Sequence, residues 1–258
     1  MNSIDPPRSD TGWPVVTPLA AAIQFLTLAP PLVRRPFTLA EMGRAVGYFP
    51  LVGALLGGAL AILDRGLGII LPVSVTSALV LAAWVIFTGA LHLDGFLDAC
   101  DGLLGGHSPE VRLRILRDER VGAYAVAGGV LLLLVKYTAL AAVPARTMAL
   151  LLAPTLGRWG ITLAVVAFPY ARPEGLGRAM KDYAAWRQGA LATGITLVAA
   201  WLIGGWLGLA AVALAGVTAW AGARFTLARL PGLTGDIYGA ICEVVETLVL
   251  LCFALRNL

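Results

Sequence analysis

Long apolar runs alternate with short polar connections along most of the chain. Each run is about 20 residues long, the length that an α-helix needs to cross the hydrocarbon core of a bilayer. No alternation with a period of two residues indicates barrel strands, and lipid cannot satisfy free backbone groups, so the spans are predicted to be helical. They cover about residues 46–63, 73–93, 123–143, 148–169, 190–205, 207–227 and 237–255.

Two stretches depart from this simple pattern. The stretch 190–229 is too long for one span, so we divide it at Gly204-Gly205. Residues 19–33 are apolar but short and end in prolines, which indicates a helix at the membrane interface. The sequence therefore predicts an all-α, polytopic transmembrane bundle of about seven spans plus an N-terminal interfacial helix.

The N-terminus lacks the charged segment and adjoining apolar core of a signal peptide. We expect a disordered cytoplasmic tail over residues 1–18 and a single membrane domain over residues 19–258. Three cysteines, without CxxC or Cys/His ligand spacing, indicate free thiols and argue against zinc.

Composition and charge agree with a membrane protein. The 258 residues are 59% hydrophobic and 13% charged, whereas soluble domains carry about 25% charged residues. The net charge of +4 is interpreted as membrane topology rather than nucleic-acid binding, because Lys and Arg collect in cytoplasmic loops. We therefore expect membrane lipids around the chain and no nucleic-acid partner.

The loops divide into a charged side and a plain side. If the 94–122 loop is cytoplasmic, alternation places 30–45, 170–188 and 228–236 on the same side. Most Arg and Lys residues and most acidic residues then fall there, while the opposite side holds Arg65, Arg146, Arg256 and Asp64. This distribution predicts a polytopic membrane protein with a cytoplasmic active face.

The segment 91–124 carries the most informative chemistry. Asp94, Asp98 and Asp101 are spaced i, i+4 and i+7, so they share one face of a helix. Three neighbouring carboxylates repel one another unless a cation compensates them, and hard oxygen ligands favour Mg²⁺, Mn²⁺ or Ca²⁺ over zinc. Mg²⁺ usually recruits substrate phosphates to complete its shell, so the cluster indicates a phosphate-bearing substrate. Gly95 and Gly102 lie among them and would let a phosphate approach the backbone. The alternative is a solvated acidic helix end, although unpaired carboxylates beside an apolar span are costly.

Arginines follow the aspartates in the same segment. Arg117 and Arg120 flank Asp118, and guanidinium groups bind phosphate with two parallel hydrogen bonds. Topology and lipid headgroup contact are the alternative roles, and they are favoured for Arg112 and Arg114. His107 is interpreted as a plain loop residue. For His92, which lies beside Asp94, a plain role and a functional role are equally favoured.

Two further polar patches are predicted on the same face. One is the glycine-bearing loop RPEGLGR at 172–178, and the other is TGD at 234–236, which opens the last span. Glu243 and Glu246 follow within that span, and intramembrane acids mark functional sites by default. Pairing of these glutamates with Lys136 or Arg158 is the structural alternative.

These motifs resemble the cobalamin synthase family, the adenosylcobinamide-GDP ribazoletransferases. The resemblance runs in order from about residue 19 to the end, through the motifs LTLAPP, YFPLVGALLG, HLDGFLDACDG, RDERVGAY, EGLG and LTGDIYGA. It implies a Mg²⁺-dependent enzyme that joins adenosylcobinamide-GDP to α-ribazole, or its 5′-phosphate, and releases GMP.

The resemblance and the residues together give a candidate site. Asp94, Asp98 and Asp101 would hold one or two Mg²⁺ ions, and either Asp98 or Asp118 would accept the proton of the attacking hydroxyl. Arg117 or Arg120 would offset phosphate charge. The further predicted substrate or metal contacts are Gly95, Gly102, Asp236 and Glu243.

Two other classes compete with this interpretation. DACDG at 98–102 also resembles the CDP-alcohol phosphatidyltransferases, but the Ala-Arg of their DxxDGxxAR motif and the spaced later aspartates are missing. A transporter would show charges near the midplane and internal repeats, and no clear repeat is present. The sequence leaves oligomeric state open, homo-oligomers included.

Overall fold

A computed structural model describes residues 16–255 of the chain. Over this range the chain is helical, with one isolated parallel bridge between Tyr170 and Leu233, so the all-α prediction is confirmed. The helices are α1 (Val16–Leu26), α2 (Leu39–Ala45), α3 (Phe49–Leu67), α4 (Val73–Phe87), α5 (Leu91–Cys100), α6 (Pro109–Ile115), α7 (Ala123–Ala142), α8 (Arg146–Ala167), α9 (Leu176–Tyr183), α10 (Trp186–Leu227) and α11 (Gly235–Phe253). A 3₁₀ turn, Val46–Tyr48, joins α2 to α3, and a π-helical turn, Asp101–Gly105, extends α5.

Several of these helices are long and apolar enough to cross a membrane. By length and composition, four in the described range qualify: Leu39–Leu67, which contains α2 and α3, and the helices α7, α8 and α10. A fifth is added if α4 and the segment Leu91–Gly105 form one broken span. These findings support a polytopic membrane protein, and the count of seven spans stays a prediction.

Helix α10 is a hairpin of two arms. Gly205 inside it has φ 51° and ψ −132°, a conformation that favours glycine. A Cβ on Gly208 would collide with the carbonyl oxygen of Ala200, so the two arms approach closely just beyond the turn. The rings of Trp201 and Trp206 meet edge to face at 5.4 Å. The break predicted at Gly204-Gly205 is therefore confirmed.

The N-terminal helix and the second predicted span both have other boundaries than expected. Helix α1 begins at Val16, within the predicted tail, and ends at Leu26, because the prolines at 30 and 31 cannot continue a helix. Residues 1–15, the greater part of that tail, lie outside the described residues.

The predicted span 73–93 ends at Phe87, where the chain bends by 91°. Gly89 (φ 59°) and Ala90 (φ 56°) form this bend, and a new helix, α5, begins at Leu91. The aspartate motif therefore starts its own helix instead of extending a straight span.

Helix α8 lies at the centre of the bundle and packs against α3, α10 and α11. Small residues permit the closest approach: a Cβ on Gly57 of α3 would collide with the carbonyl oxygen of Leu150. At the opposite end from the aspartate motif, Arg146 of α8 donates hydrogen bonds to Asp64 of α3 and to Ser77 of α4. These contacts do not involve the polar groups near the aspartate motif.

Candidate active site

Two glycines bring α5 and α11 into backbone contact. A Cβ on Gly95 would lie 2.8 Å from the carbonyl oxygen of Asp236, and a Cβ on Gly239 would lie 3.0 Å from that of His92. The first distance is shorter than real Cβ contacts and the second is tighter than most of them, so glycine lets the two backbones cross this closely. The crossing places the aspartates of α5 beside the first turn of α11.

A group of acidic side chains results from this crossing. The carboxylate of Asp98 is near enough to those of Asp94, Asp236 and Asp101 to be repelled by each of them. Asp94 is exposed, while Asp98 and Asp236 are half-buried. Repulsion of this kind favours a site that binds a cation or a proton.

Arg172 connects this acidic group to the loop after α8. Its guanidinium donates to Asp236 Oδ2 at 2.7 Å and to the carbonyl oxygen of Leu116 at 3.0 Å. The hydroxyl of Thr234, the N-cap residue of α11, also donates to Asp236 Oδ2, at 3.1 Å. Arg172 was not among the site residues chosen from the sequence, although its loop was recognised as a polar patch.

A short parallel bridge brings Arg172 to the site. Leu233 N donates to the carbonyl oxygen of Pro169 at 2.8 Å, and Ala171 N donates to that of Leu233 at 2.7 Å. This bridge fixes the RPEGLGR loop beside the TGD segment. Pairing between two such distant segments leaves no periodic signal in the sequence, which explains why Arg172 was missed.

Asp101 caps the next helix. Its carboxylate accepts hydrogen bonds from Gly122 N at 2.6 Å and Ala125 N at 2.9 Å, both at the start of α7. The first turn of a helix has free N–H groups and a partial positive charge, so an aspartate stabilises it. Asp101 therefore has a structural task, and its role as a metal ligand stays a prediction.

The described residues contain no group of three His, Cys, Asp or Glu side chains arranged as a ready metal centre. Mg²⁺ usually takes only one or two carboxylates and completes its shell with waters and substrate phosphates. Asp94 and Asp98 of α5 and Asp236 of α11 supply hard oxygen donors of this kind. The donor chemistry of the site therefore fits Mg²⁺ bound together with a phosphate-bearing substrate.

The predicted phosphate glycines are packed against protein. Gly95 contacts α11, and a Cβ on Gly102 would lie 2.6 Å from the side chain of Leu116. Both glycines are buried. They are needed for packing, whether or not their backbone also contacts a phosphate.

The loop after α6 carries an exposed ion pair. Arg120 donates to both carboxylate oxygens of Asp118, at 2.9 and 2.7 Å. These hydrogen bonds lower the pKa of Asp118 to about 2. Arg114 and Arg117 lie with this pair around an open, solvent-facing cavity.

Helix α6 is tied to the connection between α10 and α11. Arg112 donates to the carbonyl oxygen of Arg229 at 3.3 Å, which gives Arg112 a structural contact. His107 lies in the short connection before α6, and no side-chain hydrogen bond to it is found within residues 16–255.

The two intramembrane glutamates belong to a buried ionic network. Lys136 of α7 pairs with Glu243 and, at 2.5 Å, with Glu246. Arg158 of α8 pairs with Glu246 and contacts Nδ1 of His92 at 3.3 Å. All five side chains are buried, and two positive charges balance two negative ones. The structure thus has the pairing that the sequence left as an alternative, and a further role of Glu243 as a substrate or metal contact stays a prediction.

The chain is similar to known proteins over nearly its whole length. A family model described as cobalamin-5-phosphate synthase matches residues 18–254. An adenosylcobinamide-GDP ribazoletransferase of Pseudomonas fluorescens is 42% identical over 244 residues, covering 92% of this chain and 99% of that protein.

Proteins with the same name from other organisms are also similar. The one from Stutzerimonas stutzeri is 40% identical, with 93% of this chain and 98% of the relative covered. The one from a Roseiflexus species is 36% identical, with 92% and 89% covered. No solved structure matches the chain.

Proposed function

Since the chain belongs to the cobalamin-5-phosphate synthase family, we propose that it is an adenosylcobinamide-GDP ribazoletransferase. It joins adenosylcobinamide-GDP to α-ribazole, or to its 5′-phosphate, and releases GMP. The observation that carries this proposal is a match over nearly the full length both of this chain and of its relatives. The acidic group at the α5–α11 crossing supplies a site of suitable chemistry.

The reaction is a phosphoryl transfer. A ribose hydroxyl oxygen of the acceptor attacks the phosphorus joined to the cobinamide arm, and the bond from that phosphorus to the oxygen of GMP breaks. The hydroxyl proton passes to a carboxylate, and GMP leaves with the bonding electrons. Positioning and charge compensation provide most of the catalysis in such transfers.

Asp94 and Asp98 are the residues proposed to hold Mg²⁺, with Asp236 as a further ligand. When bound, the metal offsets the negative charge of the diphosphate. Arg172 holds Asp236 in place at 2.7 Å, and Asp101 fixes the start of α7 beside the motif. Arg117 and Arg120, in the exposed loop, are proposed to attract the diphosphate.

Asp98 is the better candidate for proton acceptor. The ion pair with Arg120 lowers the pKa of Asp118 to about 2, which makes that carboxylate a weak base. Asp98 has no such cationic partner at hydrogen-bonding distance among the described residues. Asp98 also belongs to the acidic group at which the diphosphate would bind.

We further propose that the protein lies in the bacterial inner membrane with this site facing the cytoplasm. Helices long and apolar enough to cross a membrane support the membrane assignment. The excess of Arg and Lys in the loops around the site supports the orientation.

The test is an assay of GMP release by the purified protein in detergent, with adenosylcobinamide-GDP and α-ribazole as substrates. Formation of the corrinoid product together with GMP is expected. Transfer from CDP-diacylglycerol to an alcohol, with no GMP released, would instead identify a lipid phosphotransferase. Movement of a corrinoid across vesicles without chemical change would identify a transporter.

A further inference from the structure

A small cavity adjoins the acidic group. It has a volume of about 190 Å³ and lies among α1, α3, α5, α8, α9 and α11. Asp94 and Asp236 line it, so it is continuous with the acidic group. Its apolar walls are formed by Phe25, Phe49, Leu91, Ile161, Leu176 and Met180.

Two deeply buried polar groups, on residues that line this cavity, have no hydrogen-bond partner within residues 16–255. They are the hydroxyl of Tyr238, a residue 5% exposed, and Nε2 of His92, a residue 3% exposed. Buried polar groups are nearly always hydrogen-bonded in proteins, because leaving one unpaired costs free energy. A ligand with a complementary atom would satisfy them.

The contact with Arg158 determines what His92 offers. A guanidinium only donates hydrogen bonds, so Nδ1 of His92, at 3.3 Å from Arg158, is the acceptor. In a neutral imidazole the other nitrogen then carries the hydrogen, which makes Nε2 a donor. With the Tyr238 hydroxyl, which can also donate, the cavity presents two hydrogen-bond donors between its carboxylate side and its apolar walls, and the complementary ligand atom is an acceptor.

The size and walls of the cavity restrict the ligand further. Pockets for drug-sized ligands have about 300–1,000 Å³, so this cavity has room for one ring system rather than a whole nucleotide or a corrin. Phe25 and Phe49 are stacked, with ring centroids 6.0 Å apart, and their apolar faces suit a flat ring.

We propose that this cavity binds the base of the acceptor nucleoside: a flat, mainly apolar heterocycle with an unprotonated ring nitrogen. Tyr238 donates to that nitrogen, Nε2 of His92 offers a second donor in the same cavity, and the attached ribose reaches toward Asp94 and Asp236. This inference rests on the proposed function, because it assigns the acceptor's place in the same site. It makes Tyr238 and His92 determinants of specificity for the base.

Equilibrium dialysis with the full-length protein in detergent tests this proposal. The probes are the ribonucleoside of 5,6-dimethylbenzimidazole and the matching indole ribonucleoside, in which C–H replaces the accepting nitrogen. Tyr238→Phe should raise the Kd for the benzimidazole probe about tenfold, since it removes a buried donor, and leave the Kd for the indole probe unchanged. Tyr137→Phe, on α7, is the matched control and should change neither Kd.

A second variant tests the cavity itself. Leu176→Trp should fill the space and weaken both probes at least tenfold, whereas Leu197→Trp should weaken neither. These two leucines are equally exposed, at 43%, so the substitutions are matched for their effect on folding. In the transfer assay, Leu176→Trp should raise KM for the acceptor and change KM for adenosylcobinamide-GDP less than twofold.

The outcomes separate this inference from the proposed function. Wild-type protein that binds neither probe, a Tyr238→Phe effect equal on both probes, or wild-type affinity in Leu176→Trp would overturn the cavity assignment even if GMP is released. Binding with the expected variant pattern, but without GMP release, would support the cavity and contradict the transferase.

Discussion

Asp101 Oδ2 accepts a hydrogen bond from Gly122 N at 2.6 Å, which ties the end of the aspartate motif to the start of α7. The motif's third aspartate is therefore a helix cap in the structure. Asp94 and Asp98 face a different partner, the first turn of α11. One short motif thus combines a structural task with the proposed catalytic one.

Asp98→Asn and Asp101→Asn are both expected to abolish transfer, measured as GMP release, while membrane insertion stays intact. The two variants should differ in stability, because Asp101 caps a helix and Asp98 does not. Asp101→Asn keeps one accepting oxygen but turns an N–H donor toward the second backbone N–H, so it should lose about 1 kcal/mol of stability, and Asp101→Ala, which loses both hydrogen bonds, should lose more. Full activity in Asp98→Asn or Asp101→Asn would remove that residue from the proposed site. Asp182→Asn, in an exposed pair with Arg178, is the control.

Removal of divalent cations should stop the reaction. With excess EDTA we expect GMP release to fall to background and to return when Mg²⁺ is added in excess over the chelator. The reason is that the diphosphate and several carboxylates would then repel each other without a compensating cation. Undiminished release in EDTA would contradict the metal proposal and leave the family membership untouched.

Gly95→Ala and Gly239→Ala should destabilise the protein by about 1–3 kcal/mol, because each added methyl meets backbone at the α5–α11 crossing. Activity should fall as well, since the crossing holds Asp98 beside Asp236. Unfolding in detergent, followed by circular dichroism, measures the first effect. At Gly194, in an α10 arm, a Cβ meets nothing within 4 Å, so Gly194→Ala should be neutral or slightly stabilising.

The ionic network should be sensitive to the loss of one member. Glu243→Gln leaves an excess positive charge in the bundle, and we expect a loss of about 3–5 kcal/mol in the free energy of unfolding. Lys136→Met together with Glu243→Gln restores charge balance and should recover most of that stability. Breaking the exposed Arg178–Asp182 pair should cost only about 0–1 kcal/mol.

The same double variant examines the role of Glu243. If Glu243 only balances Lys136, the double variant should retain GMP release close to wild type. A stable double variant without activity would instead show that Glu243 takes part in binding or chemistry, as the sequence first suggested.

Local features of the chain were predicted well. The turn at Gly204-Gly205 and the helical nature of the spans both follow from residues close together in the sequence. The bend before α5 was missed, because it depends on positive φ angles at Gly89 and Ala90, and alanine gives no signal for such a conformation.

The sequence by itself determined that this is a helical membrane protein and which family it resembles. These properties depend on composition, on the length of apolar runs and on short motifs. Only the tertiary structure decided which charges become partners. It placed Asp236 beside Asp98, turned Asp101 to α7 and enclosed Glu243 with Lys136, because contacts between distant helices depend on how closely their backbones can pack.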